Sequence, residues 1–87
     1  MNFHYIWLMK NEHPGQLIKA AMKIEKISQT AFARAINMAP SQLSETLSGR
    51  RPITPALCIA LENEGVGDAE IWLFMYVRHE LSKARQS

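Results

Sequence analysis

From Leu17 onward the apolar residues return every three or four positions, and no stretch alternates apolar with polar as a half-buried strand would. Helix punctuation divides this pattern into five segments. His13-Pro14-Gly15 opens the first, with Pro14 suited to the first helical position. Leu17, Ala21 and Ile24 then fall at i, i+4, i+7, which predicts a buried stripe with Lys19, Lys23 and Lys26 turned outward. Ser28 is placed to cap a short second helix ending near Ile36, with Ile27 and Phe32 at the spacing of a hydrophobic staple. Asn37 follows, a residue that tolerates the left-handed backbone of a tight turn. Pro40 begins a third helix that directs Leu43 and Leu47 inward and stops at Gly49. Thr54-Pro55 starts a fourth, with Leu57 and Leu61 inside and Gly65 at its end. Gly67-Asp68 begins the last, which runs to about Lys83. The expected fold is all-α, with five helices.

The second and third segments are two short helices joined by a tight turn, the helix-turn-helix arrangement. Such helices cross closely, so a small residue is needed where they touch, and Ala33 supplies it. Phe32, Ile36, Met38, Leu43 and Leu47 form the apolar wedge behind the crossing. A helical wheel centred between Leu43 and Leu47 puts Ser41, Glu45 and Ser48 opposite the core, with Gln42 and Ser44 flanking. These are compact hydrogen-bonding side chains on a helix narrow enough for a DNA major groove. Ser28 and Gln29 open the preceding helix, where backbone amides suit a phosphate. Arg50 and Arg51 follow the third helix where a sugar–phosphate backbone would pass.

Charge sharpens this picture. The net value of +2 says little, but its distribution is uneven. Between Lys10 and Arg51, seven basic residues face only Glu12, Glu25 and Glu45. Between Glu62 and Glu80, five acids face Arg78 alone. An anionic partner would choose the first half.

Residues 28–54, SQTAFARAINMAPSQLSETLSGRRPIT, resemble the helix-turn-helix of the phage repressor/Cro (XRE) class. HPGQLIKAAM before it, GRRPITPALCIALE after it and AEIWLFMYVRHELSKAR at the end are similar to the HigA-type antitoxins of bacterial toxin–antitoxin modules. The resemblance covers residues 13 to about 85 and implies a lambda-repressor-like domain there, behind an extension over residues 1–12. It implies a homodimer that binds a double-stranded DNA operator in its own promoter and silences a small basic toxin, an mRNA endonuclease. By the same resemblance Gln29 contacts phosphate, Pro40, Ser41, Gln42, Ser44 and Glu45 face DNA, and Arg50 and Arg51 are the basic pair after the helix. Three positions depart from the family. Asn37 replaces a turn glycine, and Pro40 removes a side chain often directed at bases. Ala39 stands where a capping Ser or Thr is usual, a loss of about 1 kcal/mol that Pro40 partly offsets. A stand-alone prophage or plasmid repressor, or an adaptor that kept the scaffold without binding DNA, are the alternative readings.

IWLFMYV, residues 71–77, is apolar all round the wheel, although a helix half in water should show a polar side. Trp72 and Met75 suit the core. Part of the patch formed by Trp72, Phe74, Tyr76 and Val77 is expected to be covered by a protein. A second copy of the chain ranks first, since two operator half-sites need a dimer. A toxin ranks second, and the N-terminal Phe3, Tyr5 and Trp7 folding back rank third.

The remaining features point away from catalysis. With 87 residues, 47% of them hydrophobic, one core is expected and a cleft between lobes is not. Cys58 is the only cysteine, which excludes an internal disulfide, suits a reducing compartment and fits a small packed residue. No run reaches a membrane span, and MNFHYIWLM lacks the basic region and cleavage site of a secretory signal. Met9 would also serve as a start, which makes residues 1–8 either a leader or a docking arm. The expected location is the bacterial cytoplasm, at the nucleoid. His4, His13 and His79 have no second ligand at helical metal spacing, and Cys58 is distant from each, so neither metal nor cofactor is expected. His13 fits a helix cap and His79 a surface position. Ser41 and Ser44 have no activating His nearby, and no phosphate-binding Gly loop occurs. The acids Glu62, Glu64, Asp68 and Glu70 suit a helix end and the next helix start. No enzyme is expected.

Overall fold

The structure is a computed structural model and describes residues 12–86. The expected docking of Phe3, Tyr5 and Trp7, and the leader over residues 1–8, lie outside the described residues. The described residues form five helices in order: α1 (Gly15–Ile24), α2 (Gln29–Ala35), α3 (Pro40–Leu47), α4 (Pro55–Asn63) and α5 (Ala69–Gln86). Among the described residues there is no strand. The all-α, lambda-repressor-like reading therefore holds, with α5 reaching three residues beyond the expected end at Lys83.

Local chemistry explains most of the helix starts. The Ser28 hydroxyl accepts from the Ala31 N–H at 3.2 Å and the Thr54 hydroxyl from Leu57 N–H at 3.2 Å. Asp68 accepts from the amides of Glu70 and Ile71 at 2.9 and 3.3 Å, and Glu62 reaches across from α4 to the Ala69 amide at 2.9 Å. Two of the clustered acids thus cap α5, where negative charge also complements the helix dipole. Ahead of α1 the cap is His13, whose Nδ1 accepts from the Gly15 N–H at 3.0 Å.

The first four helices close in one way. After each, a left-handed residue (Lys26, Asn37, Gly49, Gly65) lets the next amide reach back five residues. The bonds are Ile27 to Met22, Met38 to Ala33, Arg50 to Glu45 and Val66 to Leu61, at 2.8–2.9 Å. This is the Schellman motif, which satisfies carbonyls that a helix end leaves open. Asn37 and Gly49 were expected in these turns. Lys26, expected on the outer side of α1, instead holds φ +59° beyond its end.

A single core runs through all five helices: Ile18 and Met22 of α1, Phe32 and Ala33 of α2, Leu43 and Leu47 of α3, Leu57, Cys58 and Leu61 of α4, Trp72 and Met75 of α5, with Ile53 and Val66 from the connections. The stripe expected on α1 is corrected here. Gly15, Ile18 and Met22 face inward, Leu17 and Ala21 flank them, and Ile24 is 78% exposed. The cause is the seat of α1 on α3. A Cβ at Gly15 would lie 1.7 Å from the Leu47 carbonyl oxygen, so the bare glycine backbone meets the last turn of α3 and sets the rotation of α1.

Candidate nucleic-acid interface

Helix α3 is held from behind by Leu43, Leu47 and Thr46, all buried. Thr46 satisfies its hydroxyl by donating to the Gln42 carbonyl at 2.8 Å. Ala33, fully buried, lies at the crossing with α2, and Ile36 and Met38 pack against the core at its edge. From the other side the His13-Pro14-Gly15 segment clasps the C-terminal end of α3. Gly15 abuts Leu47, Pro14 is fully buried, and the His13 ring lies against Gly49. A single rotation of α3 is thereby fixed, and it turns Pro40, Ser41, Gln42, Ser44 and Ser48 to solvent, with Glu45 half-buried beside them.

These outward side chains are not equally available. The hydroxyls of Ser41 and Ser44 are exposed and make no side-chain hydrogen bond among the described residues. Gln42 Oε1 accepts from the Ala39 N–H at 3.2 Å. That is one half of a capping box; Ala39 has no side-chain oxygen to complete the other half. The Gln42 amide nitrogen remains a donor toward solvent. Ser48 donates to the Glu45 carbonyl at 2.9 Å and so is spent on its own helix. The Glu45 carboxylate binds Arg51 Nε at 2.5 Å. That hydrogen bond and the charge of Arg51, with Arg50 adding less, hold the Glu45 carboxyl below the usual carboxylate range. Glu45 and Arg51, placed by the sequence on a base edge and on phosphate, therefore bind each other. Six residues apart, they are not helical neighbours, and no periodicity predicts their meeting. Arg50 is exposed beside them, and at the start of α2 Ser28 is exposed and Gln29 half-buried.

Behind this surface, His13 packs edge-on against Tyr76 and His79 of α5, with ring centroids 5.9 and 5.1 Å apart. His79 is half-buried there rather than on the surface. Burial first, then the neighbouring His79, keep His13 below its ordinary value near 6.5; Lys83 acts in the same direction and Glu80 against it. A neutral His13 fits its role, because Nδ1 must keep a lone pair for the Gly15 amide. Its Nε2 is buried without a hydrogen-bond partner among the described residues.

The patch expected on the last helix is corrected at Trp72, and Tyr76 is only partly covered. Trp72 is core, 7% exposed, with its indole N–H on the Val66 carbonyl at 2.7 Å. Tyr76 is half-buried against the core, and its hydroxyl is engaged with Glu80 and the Ile53 backbone. Phe74 and Val77 do face outward, joined by Ile71 and Leu81; the four are 39–45% exposed. Positions 74, 77 and 81 follow the three-then-four spacing of a helix–helix seam.

Among the described residues no helix is long and apolar enough to cross a membrane, and no three His, Cys, Asp or Glu side chains are grouped to hold a metal. Cys58 is 1% exposed within the core, and that burial raises its thiol above its ordinary range.

Residues 18–64 match the family model described as helix-turn-helix. Virulence-associated protein I of Dichelobacter nodosus is 33% identical over 82 residues, spanning 88% of this chain and 76% of that protein. An uncharacterised HTH-type transcriptional regulator of Escherichia coli K12, YddM, is 28% identical over 80 residues, spanning 92% and 85%. Virulence-associated protein A′ of D. nodosus is 34% identical over 77 residues, spanning 86% and 67%. No solved structure matches the chain significantly.

Proposed function

The chain belongs to the helix-turn-helix family, and from that premise we propose that it is a sequence-specific DNA-binding regulator. In this reading it acts as a homodimer, silences a small basic toxin and represses its own operon as a HigA-type antitoxin. The supporting observation is the outward side of α3. It carries open hydroxyls on Ser41 and Ser44 and a donor on Gln42, and Arg50 and Arg51 follow where a phosphate backbone would run. Similarity to an HTH-type transcriptional regulator supports a role in transcription. Two copies with their α3 helices about 34 Å apart would enter successive major grooves. The outward seam of Phe74, Val77 and Leu81 offers the surface for that pairing. The role is one of binding, not catalysis.

Selection of bound duplexes from a random pool, followed by affinity measurement across salt concentrations, tests DNA recognition. A selected site should outcompete shuffled duplex at least about a thousandfold, with affinity falling steeply as salt rises. Binding that ignores sequence and vanishes at physiological salt would favour a protein–protein adaptor on this scaffold. The antitoxin role is tested by co-purification with the product of the neighbouring gene. Recovery of the chain alone, together with repression that needs no partner, would favour a stand-alone repressor.

A further inference from the structure

Four helices close with the same motif, but the third uses its last position differently. Ile27, Met38 and Val66 are apolar and pack at or against the core, whereas the equivalent Arg50 is exposed. In this turn both arginines are tied to one residue. The Glu45 carbonyl accepts the Arg50 N–H at 2.9 Å, and the Glu45 carboxylate accepts from Arg51 Nε.

Fold stability does not account for the pair. The two side chains are 49% and 39% exposed, and exposed ion pairs contribute little. The pair also commits Oε2 to Arg51, which leaves Oε1 as the oxygen a cytosine amino group could meet. Engagement through Nε does leave all four terminal N–H groups of the guanidinium open, the planar edge that matches phosphate oxygens.

We propose that Glu45 is a positioning residue, which holds Arg51 against the end of α3 so that the free guanidinium edge meets a DNA phosphate in fixed register with Ser41, Gln42 and Ser44. This rests on the DNA-binding reading above. Two opposed effects follow. The Glu45 charge repels every phosphate backbone and lowers affinity for all duplexes. The fixed Arg51 loses less side-chain freedom when the matching register is reached, so the correct site is penalised least. Glu45 therefore acts on discrimination between sites, through Arg51.

The test uses the full chain with two probes, a duplex selected by the wild-type protein and a shuffled duplex of equal composition. Glu45→Ala should raise affinity for the shuffled duplex about threefold and lower it for the selected one about threefold, a roughly tenfold loss of discrimination. Glu45→Gln keeps an acceptor for Nε and should retain most of the discrimination. Glu45→Ala with Arg51→Ala should discriminate no worse than Arg51→Ala alone. In the unbound protein, the Arg51 Nε–H resonance should be protected in the wild type and Glu45→Gln but not in Glu45→Ala. A change of preferred base at one position in Glu45→Ala would make Glu45 a base reader and overturn the inference. Losses that multiply independently in the double variant, or an Arg51 resonance indifferent to Glu45, would overturn it as well. If the wild type itself fails to distinguish the two duplexes, the DNA-binding reading fails first, before any variant is made.

Discussion

Helices α3 and α5 each bury one side in the same core, Leu43 and Leu47 on the one and Trp72 and Met75 on the other. Their outward sides are opposite in chemistry. The α3 side is Ser41, Gln42, Ser44 and Glu45, small groups that trade hydrogen bonds with water at little cost. The α5 side is Ile71, Phe74, Val77 and Leu81, which leaves apolar area in water. A polar side beside two arginines suits a hydrated, anionic partner. An apolar side with seam spacing suits a protein surface. On one small domain, the contrast separates what would read a duplex from what would set how many copies reach it.

The largest expected effect comes from unseating α3. In Gly15→Ala the new methyl would collide with the Leu47 backbone, not with a side chain that can turn away. A loss of about 3 kcal/mol or more is expected, lowering Tm by more than about 12 °C. Gly65→Ala is the control: its φ of +80° is strained for alanine but nothing lies within 4 Å of the added atom. It should cost only about 1 kcal/mol. Equal losses at the two glycines in thermal denaturation would dismiss the α1–α3 contact.

Giving the α5 side a charge removes the contrast. Phe74→Glu should weaken self-association by at least about a hundredfold, because a carboxylate would be buried in an apolar interface. Sedimentation velocity should then show a monomer with an unchanged helical spectrum. A persisting dimer would place the interface elsewhere. On the α3 side, Arg50→Ala with Arg51→Ala should weaken every duplex and lower the salt slope by about two, with the selected site losing up to about tenfold more than a shuffled one but with the preferred base unchanged at each position. Gln42→Ala should instead alter preference among bases. If the arginine pair changed preference and left overall affinity intact, the roles assigned to the two groups would be reversed.

A smaller effect concerns His13, which touches Gly49 behind α3 and Tyr76 and His79 on α5. Its folded value lies below 6.5, so the unfolded chain binds the proton more readily. The stability contribution is therefore full above about pH 6.5 and is lost as pH falls through the lower, folded value. His13→Asn keeps a capping acceptor without a titrating ring, and should flatten the dependence of Tm on pH between about 5 and 7. An unchanged slope would assign the acid sensitivity to other groups. The smallest effect is expected at Lys26, a lysine in left-handed backbone. Lys26→Gly should stabilise by up to about 1 kcal/mol without altering either outward side. A loss of stability in chemical denaturation would mean that the lysine side chain contributes more than its backbone costs.

Particular residues show how much was legible in advance. Ser28, Asn37, Thr54 and Asp68 act on amides or turns within a few positions of themselves, so the sequence alone located them. Leu43 and Leu47 were legible because polar neighbours left only one side of α3 that could be buried. On α1, by contrast, Leu17, Ile18, Ala21, Met22 and Ile24 are all apolar, and periodicity could not choose between rotations one residue apart. Only the contact of Gly15 with Leu47 chose. The same holds on α5, where an all-apolar run left open that Phe74 and Val77 face outward while Tyr76 lies half-buried against the core. The pairing of Glu45 with Arg51 was hidden for another reason: the Gly49 turn reverses the chain and joins residues that helical spacing keeps apart.

By itself, then, the order of residues determined the five helices of the described residues, most of their caps, the turn between α2 and α3 and the polar character of the α3 surface, because each depends on backbone chemistry acting over a few positions. Tertiary structure decided how α1 is rotated, which aromatic residues of α5 stay in water, and which charge each arginine meets. Those outcomes depend on close contacts between segments distant in the chain, where a single carbonyl or guanidinium excludes every arrangement but one.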